Sequence, residues 1–315
     1  MNKLLSNLYG AVVGIRNVLY DHGILPSYLT PPVVVSIGNI EVGGTGKTPF
    51  TITLAQHLQK RGHMVAIITR GYRGKLKGTV LVNDNDTAGN VGDEALIMAQ
   101  ISGVPVIKSP NRCDGAMFAS RELHATIILL DDGFQHRKIH RDLDIVLISR
   151  DVYSETLLPF GHLREPSSAL DRADIIVSTK NIFLSGLTAS LTAHDLVDLH
   201  GNSYDLSLLA GKRVLAFCGI ARPETFFDSI RNFSAMVDCM HFRDHHNYTR
   251  RDIRQIIRRS KRNDMVVTTQ KDMVKLKPLL QEEPWYALRV SMHISDVDYL
   301  IEEIDNIVKN RRISR

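Results

Sequence analysis

EVGGTGKTPF, residues 41–50, begins one residue after the apolar run PPVVVSIGN (31–39) and leads into TITLAQHLQKRG. An apolar run, a glycine-flanked turn and a helical pattern read as strand, loop and helix. The strict phosphate-loop pattern GxxxxGK[ST] would place glycine at position 41, where this chain has Glu41. The physically decisive groups remain. Gly43, Gly44 and Gly46 permit positive φ, so that backbone N–H groups of residues 41–48, including Val42 and Thr45, can converge on an anion. Lys47 supplies a cation for the β and γ phosphates, and the Thr48 hydroxyl suits Mg²⁺. The helix N-terminus faces the same anion. Pro49 is tolerated because the first helical turn has no N–H partner to lose.

A phosphate loop also needs a metal-holding acid at the end of a neighbouring strand. IILLDDGFQH (127–136) ends an apolar run on Asp131 and Asp132. Further β-branched runs occur at 64–71, 104–109, 143–149 and 173–180, each uniformly apolar as in strands covered on both faces. Strand and helix in alternation predict an α/β fold with a parallel, doubly wound sheet. We expect a P-loop-like domain over 1–205, a smaller α/β domain over 206–292, and a C-terminal helix within 293–315 able to pack back on the first.

The chain has 315 residues, 43% hydrophobic and 23% charged, which excludes a disordered protein. Its three cysteines form no CxxC pair, which disfavours both a disulfide framework and a thiolate metal site and fits a reducing cytoplasm. The opening residues lack the unbroken apolar core and cleavage site of a secretory signal. A net charge of +5 points to an anionic partner. Leu4, Leu8, Val12, Ile15 and Leu19 form one helical stripe near the start, broken too often by polar residues to span a membrane. Such a stripe either lies in a membrane interface or packs on its own domain. In TRRDIRQIIRRSKRND (249–264), Arg250, Arg254, Arg258 and Arg262 oppose Ile253, Ile256 and Ile257. No aromatic residues interleave with these arginines to stack bases, so no nucleic-acid partner is expected, nor is a protein partner.

Three polar clusters bear on what accepts the phosphate. GDE (92–94) sets Asp93 and Glu94 at a helix start, where the dipole favours carboxylates. RDHHNYT (243–249) gathers Asp244, His245 and His246, and a histidine beside a carboxylate can serve proton transfer. GHLREP (161–166) offers Arg164 as a phosphate clamp and Glu165 as a metal ligand. On these residues alone the reading is Mg²⁺- and ATP-dependent phosphoryl transfer to an unidentified acceptor.

SIGNIEVGGTGKTP, TRGYRG, GDE, LLDDGFQH, LLPFGHLREP, RDHHNYT and TTQKD, in this order, closely resemble the tetraacyldisaccharide 4′-kinases of lipid A biosynthesis. The resemblance covers residues 36–272, and the family's loop also lacks the first glycine. It implies a two-domain α/β/α architecture with the active site in a cleft. It also implies phosphorylation of the 4′-hydroxyl of a tetraacylated glucosamine disaccharide 1-phosphate, at the cytoplasmic face of the bacterial inner membrane. Lys47 and Thr48 then match the loop lysine and the Mg²⁺ ligand. Asp93 matches the general base and His245 its partner, Asp132 and Glu165 the metal-site acids, and Asp131 and Arg164 further active-site residues. The N-terminal stripe and the arginine face would hold the enzyme against an anionic leaflet. A different class, the deviant P-loop ATPase switch, is compatible with GGTGKT but places a lysine where this chain has Val42, and needs neither GDE nor DHH.

Overall fold

The computed structural model describes residues 2–180, 186–234, 236–280 and 283–313. Its first half runs α1 (Asn2–Asp21), β1 (Val33–Gly38), α2 (Lys47–Lys60), β2 (Val65–Thr69), β3 (Val80–Leu81), α3 (Ala88–Val91), α4 (Asp93–Ser102), β4 (Val106–Lys108), α5 (Arg112–Glu122), β5 (Ile127–Asp131), β6 (Leu143–Ile148) and β7 (Ile175–Ser178). Then come β8 (Leu187–Val197), β9 (Ser203–Tyr204), β10 (Arg213–Cys218), α6 (Pro223–Arg231), β11 (Met236–His241), α7 (Arg250–Ser260), β12 (Met265–Thr269), α8 (Gln270–Leu276), β13 (Trp285–Ile294) and α9 (Val297–Ile313).

The strands join in the order β11-β10-β12-β13-β8-β7-β6-β1-β5-β2-β4-β3, with β9 beside β8. Pairing is parallel from β7 through β4 and again from β11 through β13. The fold is therefore α/β with a mostly parallel sheet, as the apolar runs predict. Every residue of β1, β2, β5 and β6 is buried, because helices cover both faces. β1 lies between β5 and β6, and its register sets Ile37 opposite Asp131. The loop after β1 and the acids after β5 thus leave the sheet at the same carboxyl edge, where open α/β sheets bind ligands.

β8 joins the two halves. Leu187 and Thr188 pair parallel with Val177 and Ser178 of β7, whereas residues 189–197 pair antiparallel with β13. β13 and α9 then re-enter the first half. Met292, Ile294, Leu300, Ile301, Ile304 and Val308 are buried in one cluster with Val35, Ile37 and Leu129. Arg311 closes this return by donating to the carbonyls of Thr30 and Pro32 and pairing with Asp142 at 2.7 Å.

α1 is docked by its polar side. Ser6 Oγ donates to the Leu157 carbonyl, Tyr9 Oη to the Arg164 carbonyl and Asn17 Nδ2 to Glu165. Its apolar stripe faces out: Leu4 is 71% exposed, Leu8 61%, Val12 62% and Ile15 63%. Leu19, the last member of the stripe, is half-buried, but the other four do not pack on the domain. In α7, Ile253 and Ile256 are buried while Arg250, Arg254 and Arg258 are exposed.

Candidate active site

Gly46 caps α2 in the left-handed region (φ 86°), and a Cβ there would come within 2.8 Å of Met292 Cε. Gly43 also has positive φ, 113°. The first-turn amides of α2 have no carbonyl partners within the helix and point to the loop's concave side. Thr45 Oγ1 is fixed by Asn39 Nδ2 at 3.0 Å.

Glu41 and Val42, both expected at the nucleotide, have their polar groups committed elsewhere. The Glu41 carboxylate is fully buried. It accepts from the Ser149 amide (2.5 Å), Ser149 Oγ (2.8 Å) and Arg150 Nε (2.8 Å), and Arg222 stands 3.6 Å away. The Val42 amide donates to the His162 carbonyl at 2.7 Å. The same strip of pairing carries the Arg164 amide to the Ile40 carbonyl, which brings Arg164 alongside the loop.

Lys47 Nζ lies 3.3 Å from Asp132, which also accepts from Arg164 at 3.0 and 3.1 Å. Burial alone would raise the Asp132 carboxyl, but Lys47 and Arg164 outweigh it and hold it at about 2. Asp131 is pushed the other way, first by burial and then by Glu94 and Asp132. Its Oδ2 accepts weakly from Thr69 at 3.4 Å, and its buried Oδ1 has no partner. An orphaned carboxylate oxygen beside an ionised one fits a hard cation, and Mg²⁺ needs only one or two carboxylates besides phosphate and water. Thr48, in the first turn of α2, stands on the same loop.

Glu165, expected as a metal ligand, has one carboxylate oxygen engaged by protein donors and one left open. Its buried Oε2 accepts from Asn17 at 2.9 Å and Arg172 at 2.7 Å, whereas Oε1 has no hydrogen-bond partner and lies 3.6 Å from Arg16. Among the described residues no cluster of three or more His, Cys, Asp or Glu side chains with metal-site geometry occurs.

The acceptor side is built where the halves meet. Gly92 (φ 97°) precedes α4, and a Cβ on it would sit 2.7 Å from the Tyr72 carbonyl. This tight turn directs Asp93 toward His245, whose Nδ1 lies 3.0 Å from Asp93 Oδ2. Lys275 adds a contact to the same oxygen at 3.8 Å. Lys271 Nζ stands 3.2 Å from Glu94 and 3.3 Å from His245 Nε2. An ammonium donating to Nε2 leaves the proton on Nδ1, directed at Asp93. Arg73 donates to the His245 carbonyl at 2.8 Å and the Tyr72 ring meets its imidazole edge-on. His245 (φ 55°) and Asp132 (φ 53°) both hold left-handed backbone, a strain of about 1 kcal/mol that clusters at functional sites.

Burial would raise the Asp93 carboxyl, yet the His245 hydrogen bond, Lys271 and Lys275 together lower it from 3.8 to about 2. A depressed carboxylate stabilises the fold above its unfolded pKa and loses that contribution as pH falls through the folded value. Asp93→Asn is therefore expected to cost about 2 kcal/mol at pH 7 and progressively less between pH 4 and pH 2. Urea denaturation across that window measures it, and a cost independent of pH would refute the ion pairing.

The sequence singled out Lys47, Asp131, Asp132, Arg164, Asp93 and His245; the structure groups Lys47 and Arg164 on Asp132, sets Asp93 against His245, and puts Asp131 under the charges of Asp132, Lys47 and Glu94. It missed Lys275 and the Ser149–Arg150–Arg222 group, which reach their partners only through the fold. TTQKD was a usable signal for Lys271, since it opens α8 directly after a strand.

Comparison with known proteins gives the family. A profile of the tetraacyldisaccharide-1-P 4′-kinase family matches residues 2–309. The tetraacyldisaccharide 4′-kinase of Koribacter versatilis is 38% identical over 319 residues, covering 98% of this chain and 99% of the relative. That of Chlorobaculum parvum is 38% identical over 296 residues, covering 85% and 82%. A crystal structure of the "apo" form of LpxK from Aquifex aeolicus in complex with ATP superposes with a TM-score of 0.82 at 32% identity, covering 96% of this chain and 97% of that one. The chain belongs to the tetraacyldisaccharide 4′-kinase family.

Proposed function

We propose that the protein transfers the γ-phosphate of ATP to the 4′-hydroxyl of a tetraacylated glucosamine disaccharide 1-phosphate. The observation that carries this reading is the Asp93–His245 pair beside Glu94, whose charge acts on Asp131 next to the Lys47–Asp132–Arg164 cluster. A nucleotide switch has no use for a proton acceptor there.

Loop amides and Lys47 bind the β and γ phosphates, and Arg164 adds a guanidinium beside them. Thr48, Asp131 and Asp132 would hold Mg²⁺, which supplies neutralisation of phosphate charge when bound. Asp93 takes the proton of the acceptor hydroxyl on Oδ1, because His245 and Lys275 engage Oδ2. Lys271 orients the imidazole from its Nε2 side. The test is γ-labelled ATP with the disaccharide 1-phosphate: label is expected in a lipid-soluble product, and ATP consumption indifferent to the lipid would reject the reading.

The acylated substrate resides in a membrane, and α1 is suited to meet it at the cytoplasmic face of the inner membrane as a peripheral anchor. No helix among the described residues is long and apolar enough to cross a bilayer. An outward apolar stripe on a helix docked by its polar side binds an interface in proportion to the apolar area immersed. The exposed arginines of α7 add attraction to anionic headgroups over about a Debye length. Leu8→Asp with Ile15→Asp is expected to weaken sedimentation with anionic vesicles by about tenfold or more, from the transfer energy of two aliphatic side chains. Unchanged sedimentation would remove α1 from membrane binding.

A further inference from the structure

The segment Gly219-Ile220-Ala221-Arg222 lies between β10 and α6 and touches both sides of the site. At one end, Gly219 N donates to the buried Asp272 carboxylate at 2.8 Å, and the Gly219 carbonyl accepts from the His245 amide at 3.2 Å. At the other end, Arg222 donates to Ser149 Oγ at 2.7 Å and stands 3.6 Å from Glu41. Three peptide bonds therefore separate the backbone of the proton-acceptor pair from the phosphate loop. The residue met in the loop is Glu41, which replaces the expected glycine with a carboxylate. A buried carboxylate demands partners, and here one of them comes from the other half of the molecule.

We propose that Arg222 is a positioning residue that, through Ser149 and Glu41, registers the phosphate loop against His245. The inference deepens the kinase reading and rests on it. Transfer needs donor phosphate and acceptor base within a fraction of an ångström of their productive separation, so a link of this kind acts on turnover more than on nucleotide affinity. An ordinary surface ion pair would do neither.

Arg222→Met leaves Glu41 with the Ser149 amide, Ser149 Oγ and Arg150, so the loop stays folded. With the full chain, ATP and the disaccharide 1-phosphate, kcat is expected to fall about tenfold while KM for ATP changes less than about threefold. Arg222→Lys is expected to recover part of kcat, since an ammonium restores one of the donors. Hydrogen exchange at the Gly219 and His245 amides is expected to quicken in Arg222→Met, with β1 and β5 unchanged. A kcat within about twofold of wild type, or a fall in ATP affinity as large as the fall in kcat, would overturn the proposal. Should the wild type transfer no phosphate to the lipid, the kinase reading fails. The exchange comparison then decides the tether by itself, loosened amides supporting it and unaltered ones refuting it.

Discussion

Lys47→Ala is expected to lower kcat/KM for phosphate transfer by about a thousandfold or more. The ammonium sits at the mouth of the loop, 3.3 Å from Asp132 and only 13% exposed, so its charge acts in a poorly screened region. Phosphoryl transfer has little covalent chemistry for the protein to perform, and removing one such electrostatic group costs several kcal/mol of transition-state stabilisation. Arg164 still pairs with Asp132 in the variant, so the local fold persists and circular dichroism should match wild type. Lys47→Arg is expected to rescue poorly, because a planar fork does not reproduce a compact point charge in a cradle of amides. An undiminished rate in Lys47→Ala would reject the loop as the phosphate site.

Asp93→Ala is expected to slow transfer about a hundredfold or more, with ATP binding retained. The scale is that of a lost general base. Separation of the two effects follows from geometry: Asp93 contacts His245 and Lys275 and makes none of the loop contacts. His245→Gln is expected to cost less, since Lys271 and Lys275 still hold the carboxylate ionised. Calorimetric titration of ATP beside single-turnover transfer checks both variants. Normal turnover in Asp93→Ala would take this carboxylate out of the mechanism.

The phosphate loop was legible because strand, glycine turn and helix lie within about twenty residues and each leaves a local pattern. The central strands were legible because a sheet covered on both faces needs unbroken apolar runs. β8 left no such run: its burial alternates irregularly and most of its first seven residues face solvent. β11 is a half-exposed edge strand and equally quiet. The pairing of Asp93 with His245 joins residues 152 apart, which no periodicity encodes; family motifs supplied it. Glu165 shows the same limit. Its motif suggested a metal, and the tie of its Oε2 to Asn17, 148 residues away, left no local pattern.

Continuity of the sheet through β8 bears on how the cleft breathes. Among the described residues, two parallel pairs to β7 on one side and a long antiparallel ladder to β13 on the other join the halves through the sheet itself. Backbone groups in such a ladder cannot part without forfeiting their partners. Parting the halves along this path would wind or unwind the sheet's own twist, which pulls back as it is displaced. The gap between donor and acceptor has an elastic rest width, set by how the strands coil.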